Sequence, residues 1–155
     1  MPLRKASEMF TILNFIDESN RIEGIGGVSE SDITAHEMLL AEPGPIEVEH
    51  LERFVRMVAN APLRDRPGMD VKVGGHFPPR GGTTIRWRLA QLLREVDKTT
   101  AQPSVIHRLY ETLHPFMDGN GRSGRVLWLY MMGGIERAPL GFLHHWYYQS
   151  LRSIT

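Results

Sequence analysis

The tightest constraint on this chain is a polar run held between two apolar helical patterns. Residues 114–125 read His-Pro-Phe-Met-Asp-Gly-Asn-Gly-Arg-Ser-Gly-Arg. Ahead of them Val105, Ile106, Leu109, Tyr110 and Leu113 fall at helical spacing, and behind them Val126, Leu127, Tyr130 and Met131 do the same. Two core helices must therefore meet at a short loop that turns directly into the second of them. A helix start offers free backbone N–H groups and is a ready anion site. Gly119 and Gly121, on either side of Asn120, let a ligand approach that backbone closely.

The charges point the same way. Arg122 and Arg125 are three apart, which predicts a shared helix face. Both occupy the opening turn, where the helix dipole is already positive, so an anion is needed to make them favourable. Backbone donors, two guanidiniums and the Asp118 carboxylate suit a polyphosphate carrying Mg²⁺. His114 is the side chain of the run fit for general-base work near neutral pH. Plainer roles compete: Asp118 alone would pass as an N-cap. An EF-hand beginning at Asp118 fails, because Arg122, Ser123 and Leu129 stand at its fifth, sixth and twelfth positions. A P-loop fails for want of Gly-Lys-Ser/Thr.

The run resembles the signature of the Fic family, H-P-F-x-D/E-G-N-G-R-x-x-R, and matches it at every specified position. His107 and Tyr110 stand at the family's usual places upstream, and the likeness is strong over residues 51–132. The resemblance implies an all-α Fic-type domain with a small β-hairpin flap. It also implies an enzyme that transfers AMP from ATP to a Ser, Thr or Tyr hydroxyl of a target protein. In that reading His114 is the base, and Asp118 holds Mg²⁺ or Mn²⁺. Gly119, Asn120 and Gly121 form an anion hole, Arg122 and Arg125 bind the outer phosphates, and Phe116 anchors the loop.

Composition narrows the partners. Lys+Arg and Asp+Glu are both 18, whereas a general nucleic-acid or membrane-surface binder would normally be basic. The expected partners are ATP and a protein substrate, with no nucleic acid and no membrane; a homo-oligomer is left open. The chain has no cysteine, which removes disulfides, zinc–thiolate sites and thiol catalysis together. No signal peptide or membrane-spanning apolar run is read, so the expected location is cytoplasmic. A length of 155 residues suits one domain, 1–155.

In chain order, Met9, Ile12, Leu13 and Ile16 predict a helix over 6–23, closed by Gly24 as its C-cap. Glu23 then sits in the final turn, at the negative end of the dipole, where a carboxylate is poorly placed. A salt bridge to a partner elsewhere would account for both this anomaly and the arginines. The segment resembles the family's inhibitory motif, S/T-x-x-x-E-G/N, through Ser19, Glu23 and Gly24. That resemblance makes 1–24 an inhibitory helix in which Glu23 pairs with Arg125 and blocks productive seating of the γ-phosphate. Ser19, one turn earlier, would steady Glu23 or face solvent. Two charges about 4 Å apart attract by roughly 4 kcal/mol at an effective dielectric near 20, and exposed pairs retain only about 0–1. A half-buried pair would thus weaken binding by about 10- to 100-fold.

Further helices are expected over 31–41, with Ser29 or Ser31 as cap and Ile33, Met38 and Leu39 as its apolar positions, and over 46–60 on Leu51, Phe54, Val55 and Val58. His36 and His50 read as solvated. Residues 61–82 are rich in Pro, Gly and charge, and Val71 to Phe77 reads as two short extended arms around Gly74-Gly75. By resemblance 68–80 is the flap, whose Val71, Lys72 and Val73 would hold an extended target segment by edge pairing. Thr83 or Thr84 would cap a fourth helix on Ile85, Leu89, Leu92, Leu93 and Val96, and Pro103 would open a fifth. His107 reads as a packed structural residue. A last helix on Leu140, Leu143, Tyr147 and Leu151 would close the nucleotide pocket with Trp146, Tyr147 or Tyr148. Leu143-His144 stands where relatives often carry Asn-Arg, which leaves the base contacts open.

The resemblance also leaves other activities in view. With Glu23 orienting a water, the same site would remove AMP from a modified protein. Whole-phosphate transfer is disfavoured, because the Doc kinases carry Lys where Gly121 stands. A nucleotide-responsive binding module or toxin component without turnover is the reading from a different class.

Overall fold

The structure, a computed structural model, describes residues 11–134. Among them lie six helices: α1 (Thr11–Ile22), α2 (Glu30–Leu40), α3 (Val48–Val58), α4 (Thr83–Val96), α5 (Pro103–Leu113) and α6 (Asn120–Met131). The all-α expectation holds. The part of the first helix expected before Thr11, and the last helix with Trp146 and its neighbours, lie outside the described residues.

Helix α6 is the axis of the fold. It packs against α1, α2, α3 and α5, and Asn120 and Arg122 to Leu129 are all buried. A helix enclosed on every side needs no polar face. Val126 and Leu127 join Leu51, Phe54, Val55, Leu89, Ile106 and Tyr110 in the main core. Trp128 and Leu129, on another side, meet Phe15 and Ile16 of α1 in a second, smaller cluster. Burying each large apolar side chain contributes about 1.5–3 kcal/mol. The described part of α1 is thus docked on α6 chiefly through two such side chains, and the polar bonds of its C-terminal turn decide where it ends.

Those bonds are specific. Asn20 is buried and donates through Nδ2 to Gly27 O (2.9 Å) and Asp32 Oδ2 (3.1 Å). Asp32 also closes a capping box with Ser29, the N-cap of α2. Gly24 follows the helix with φ of +75°, a conformation that costs glycine little.

Several expectations need correction. Leu13, Met38 and Leu109 are exposed (42%, 38% and 47%), because α1, α2 and α5 present narrower buried stripes than the periodicity suggests; Phe15 and Ala35 point inward instead. Thr83 lies inside α4, whose N-cap is Gly82 with no side-chain cap bond. His36 is fully buried, its ring edge-on to Phe54 (4.8 Å between centroids) and its Nδ1 2.6 Å from Asp32 O. His50 is bonded too, with the Glu47 N–H donating to its Nδ1. The flap does not form two extended arms. It is a tight turn closed by a single antiparallel bridge between Val73 and His76, since Gly74 and Gly75 take the whole reversal and leave no ladder beyond one pair.

Candidate active site

The loop between α5 and α6 is shaped by two backbone devices. His114, the C-cap of α5, adopts the left-handed conformation (φ +50°, ψ +63°), which costs a non-glycine residue about 1–2 kcal/mol. The Asn120 side chain then bridges the loop's waist, accepting from Phe116 N (2.8 Å) and donating to Phe116 O (2.7 Å). Phe116 is fully buried and pairs with Leu63 across an antiparallel bridge. Gly119 opens α6 with φ of +80°, and a Cβ there would lie 2.9 Å from the Cβ of Ala59. Asp118 is exposed, its Oδ1 accepting from Gly119 N at 2.7 Å.

The first helical N–H to bond back within α6 is Ser123 N, to Gly119 O. The donors before it face the loop mouth, as helix geometry requires. Arg125 is fully buried one turn further in. Its Nε donates to Ser19 Oγ (2.7 Å), and its Nη2 donates to Ser19 O (2.9 Å) and Glu23 Oε1 (2.7 Å). The Glu23 carboxylate is 36% exposed while Arg125 is wholly enclosed. A side chain added to Gly121 would collide with Glu23 Oε1, so the carboxylate rests directly over the helix start. Ser19 is buried and holds the arginine, so it does not face solvent.

Arg122 is placed differently from expectation. It is buried, and its Nη1 donates to Val58 O at 2.7 Å, satisfying a carbonyl at the C-terminal end of α3 where a cation is favoured. The two arginines share a helix and part company at their tips. Val73 closes the turn described above and Val71 and Lys72 lead into it, with Lys72 and Val73 exposed and the Lys72 ammonium 5.2 Å from the Phe77 ring centroid.

Burial tunes the titratable groups. The His114 imidazole is pushed down to about 4, first by burial and next by the Arg64 charge, with the Glu111 backbone opposing. His114 is therefore a neutral ring at pH 7, the form a proton acceptor needs. His107 is likewise held at about 4 by burial, against a contact of its Nδ1 with Gly124 O. Burial raises the Glu111 carboxyl to about 8, opposed by Arg125 and reinforced by Glu23. His107 Nε2 and Glu111 Oε1 are 3.9 Å apart, and with both charges disfavoured they face each other neutral at pH 7. Tyr110, bonded to Ser123 Oγ at 2.6 Å, is raised by burial as well.

Sequence reasoning missed Arg64 and Glu111. Glu111 was findable, since i, i+4 spacing from His107 puts a carboxylate on a buried stripe. Arg64 sits in an irregular segment and carries no local signal.

Among the described residues no three His, Asp or Glu side chains gather as a metal cage. An exposed carboxylate beside a helix start fits a Mg²⁺ that arrives on phosphates, because that ion commonly takes only one or two protein carboxylates. Among the described residues no helix is long and apolar enough to cross a membrane. The family model described as Fic/DOC family matches residues 28–132, which include α2 to α6 and the whole loop. The match begins after Glu23.

Proposed function

The chain belongs to the Fic/DOC family, whose domains bind nucleotide substrates and are generally nucleotidyl- or phosphate-transferring enzymes, and from that premise we propose that it is a protein adenylyltransferase held in check by Glu23. A Ser, Thr or Tyr hydroxyl of a target protein attacks the α-phosphorus of ATP. Its proton passes to neutral His114, the new O–P bond forms, the bond to the β-phosphoryl oxygen breaks, and pyrophosphate leaves. The N–H groups of Asn120 and Gly121 would face the phosphates, joined by that of Gly119 once Asp118, which now accepts from it, turns to hold a Mg²⁺ and supply charge neutralisation. Arg125 takes the outer phosphates once Glu23 gives way, while Arg122 lends charge from its seat on Val58. Positioning and charge neutralisation supply the acceleration.

The observation that carries this reading is the contact of Glu23 with Arg125 directly above the helix start. The anion now sitting there is the protein's own carboxylate. Intact-mass spectrometry of wild type, Glu23→Gly and His114→Ala, each with ATP and Mg²⁺, tests it. An added AMP mass that is strong on Glu23→Gly, weak on wild type and absent from His114→Ala supports transferase and brake together. A second reading rests on the same contact: a carboxylate over Gly121 is also placed to orient a water for AMP removal. In that case Glu23→Gly abolishes release of AMP from a modified protein instead of raising transfer.

A further inference from the structure

Arg64 is fully buried, and its guanidinium spends its donors on backbone carbonyls. Nε donates to His114 O at 2.6 Å and Nη2 to Leu113 O at 2.9 Å. Nη1 donates to Met69 O at 3.0 Å and Pro79 O at 2.8 Å. The backbone of Arg64 adds two more ties, its N–H to Pro115 O and its C=O from Gly82 N, both 2.9 Å. One residue therefore grips the carbonyls on both sides of the left-handed turn at His114. It also grips both ends of the 68–80 segment and the residue that opens α4.

We propose that Arg64 is a positioning residue for the reaction, fixing the strained backbone of His114 and joining it to both ends of the flap. The proposal rests on the adenylyltransferase reading for what the alignment is for, though not for the alignment itself. Among the described residues the donor that meets the His114 carbonyl is Arg64 Nε. A turn that costs a non-glycine residue free energy persists only where its surroundings hold it, and Arg64 holds it through two side-chain bonds, to His114 O and Leu113 O, and its own N–H to Pro115 O. Its planar fork is what allows this, since an ammonium carries its three donors on one nitrogen and cannot span carbonyls so far apart. The flap is tied to the same helix end a second time, through the contact of His76 Nε2 with Thr112 O at 3.0 Å. A target segment docked on the turn is thereby registered against the base. The charge on Arg64 also faces the imidazole of His114, together with His76 and Glu23.

The test uses the full chain in the Glu23→Gly background, with Arg64→Lys and Arg64→Met. Arg64→Lys keeps the charge and loses the fork; Arg64→Met loses both. Expected for both variants is ATP affinity by calorimetry within about threefold of the parent. The first-order transfer rate should fall by about 10- to 100-fold, as small misplacements of reacting groups do. Titration of the His114 ring by NMR should show its pKa rising by about 0.5 unit or more in Arg64→Met and staying low in Arg64→Lys. Transfer at the parental rate by a folded Arg64→Lys overturns the proposal, and so does a loss of ATP binding equal to the loss in rate. Should Arg64→Met not fold, Arg64→Lys decides. Should the parent show no transfer at all, the adenylyltransferase reading fails, and an unmoved His114 pKa in Arg64→Met separately overturns the role of Arg64.

Discussion

Glu23 Oε1 accepts from Arg125 Nη2 at 2.7 Å across 102 positions of sequence, while Ser19 holds the same guanidinium through its hydroxyl and its carbonyl. The two residues of α1's last turn and its exit do different things. Ser19 is buried and fixes the arginine; Glu23 is partly exposed and lends it a counter-charge.

That division predicts different phenotypes. Glu23→Gly should cost about 1–2 kcal/mol of stability, above the roughly 0–1 kcal/mol of a fully exposed pair, because the carboxylate is 36% exposed but its guanidinium partner is enclosed and keeps Ser19. ATP affinity should rise by about tenfold, the lower end of the range expected for such a clamp. Ser19→Ala removes a buried acceptor and should cost about 1–3 kcal/mol in stability. Calorimetry and thermal melts on both variants decide it; equal effects on ATP affinity would show that the division does not exist.

Asn120 is bonded to Phe116 on both its N–H and its C=O. Asn120→Asp keeps the acceptor and turns the donor into a second oxygen facing Phe116 O. The loss of one buried bond and the new repulsion should destabilise by about 2–4 kcal/mol, with nucleotide binding lost in parallel. Urea unfolding reads the first, and a variant as stable as wild type refutes the bridge.

With His114 near 4, the basic form of the imidazole persists well below the ordinary histidine value of 6.5. The single-turnover transfer rate should therefore stay flat as pH falls from 8 through 6.5 to about 5, and drop only as pH approaches 4. An inflection near 6.5 would place the base in a solvated setting and contradict the geometry.

Buried groups set the pH dependence of stability, with two opposite signs. His36 and His107 fall to about 4 when folded, so the unfolded chain binds more protons between 6.5 and 4 and stability declines as pH falls through that window. Glu111 rises from 4.5 to about 8, so the folded chain binds the extra proton and stability declines as pH rises from 4.5 through 8. Glu111→Gln, which keeps the shape and cannot ionise, should flatten the alkaline decline and leave the acid one. Melting temperatures from pH 4.5 to 9 check both limbs; an unchanged alkaline limb would mean that Glu111 is already ionised in the fold.

The helical class, most helix positions, the 114–125 loop and the need of Glu23 for a partner were legible in the linear chain, while its pairing with Arg125 was what the family resemblance implied. Periodicity marks which residues need a core, and charges set at the wrong ends of helix dipoles reveal that each needs a partner. The sequence by itself predicted an anion at the start of α6, because Gly119 caps it and Asn120 and Gly121 open it, and the structure sets the Glu23 carboxylate against Gly121 there. Tertiary structure alone decided where long side chains end. Arg122 reaches the last turn of α3, Arg64 gathers carbonyls from segments far apart in the chain, and His36 turns inward between Phe15 and Phe54. Spacing along one helix fixes where a Cβ points, but a guanidinium lies several freely rotating bonds beyond it. Its final partner is whichever unsatisfied carbonyl or carboxylate packing brings within reach, and that depends on contacts no local pattern encodes.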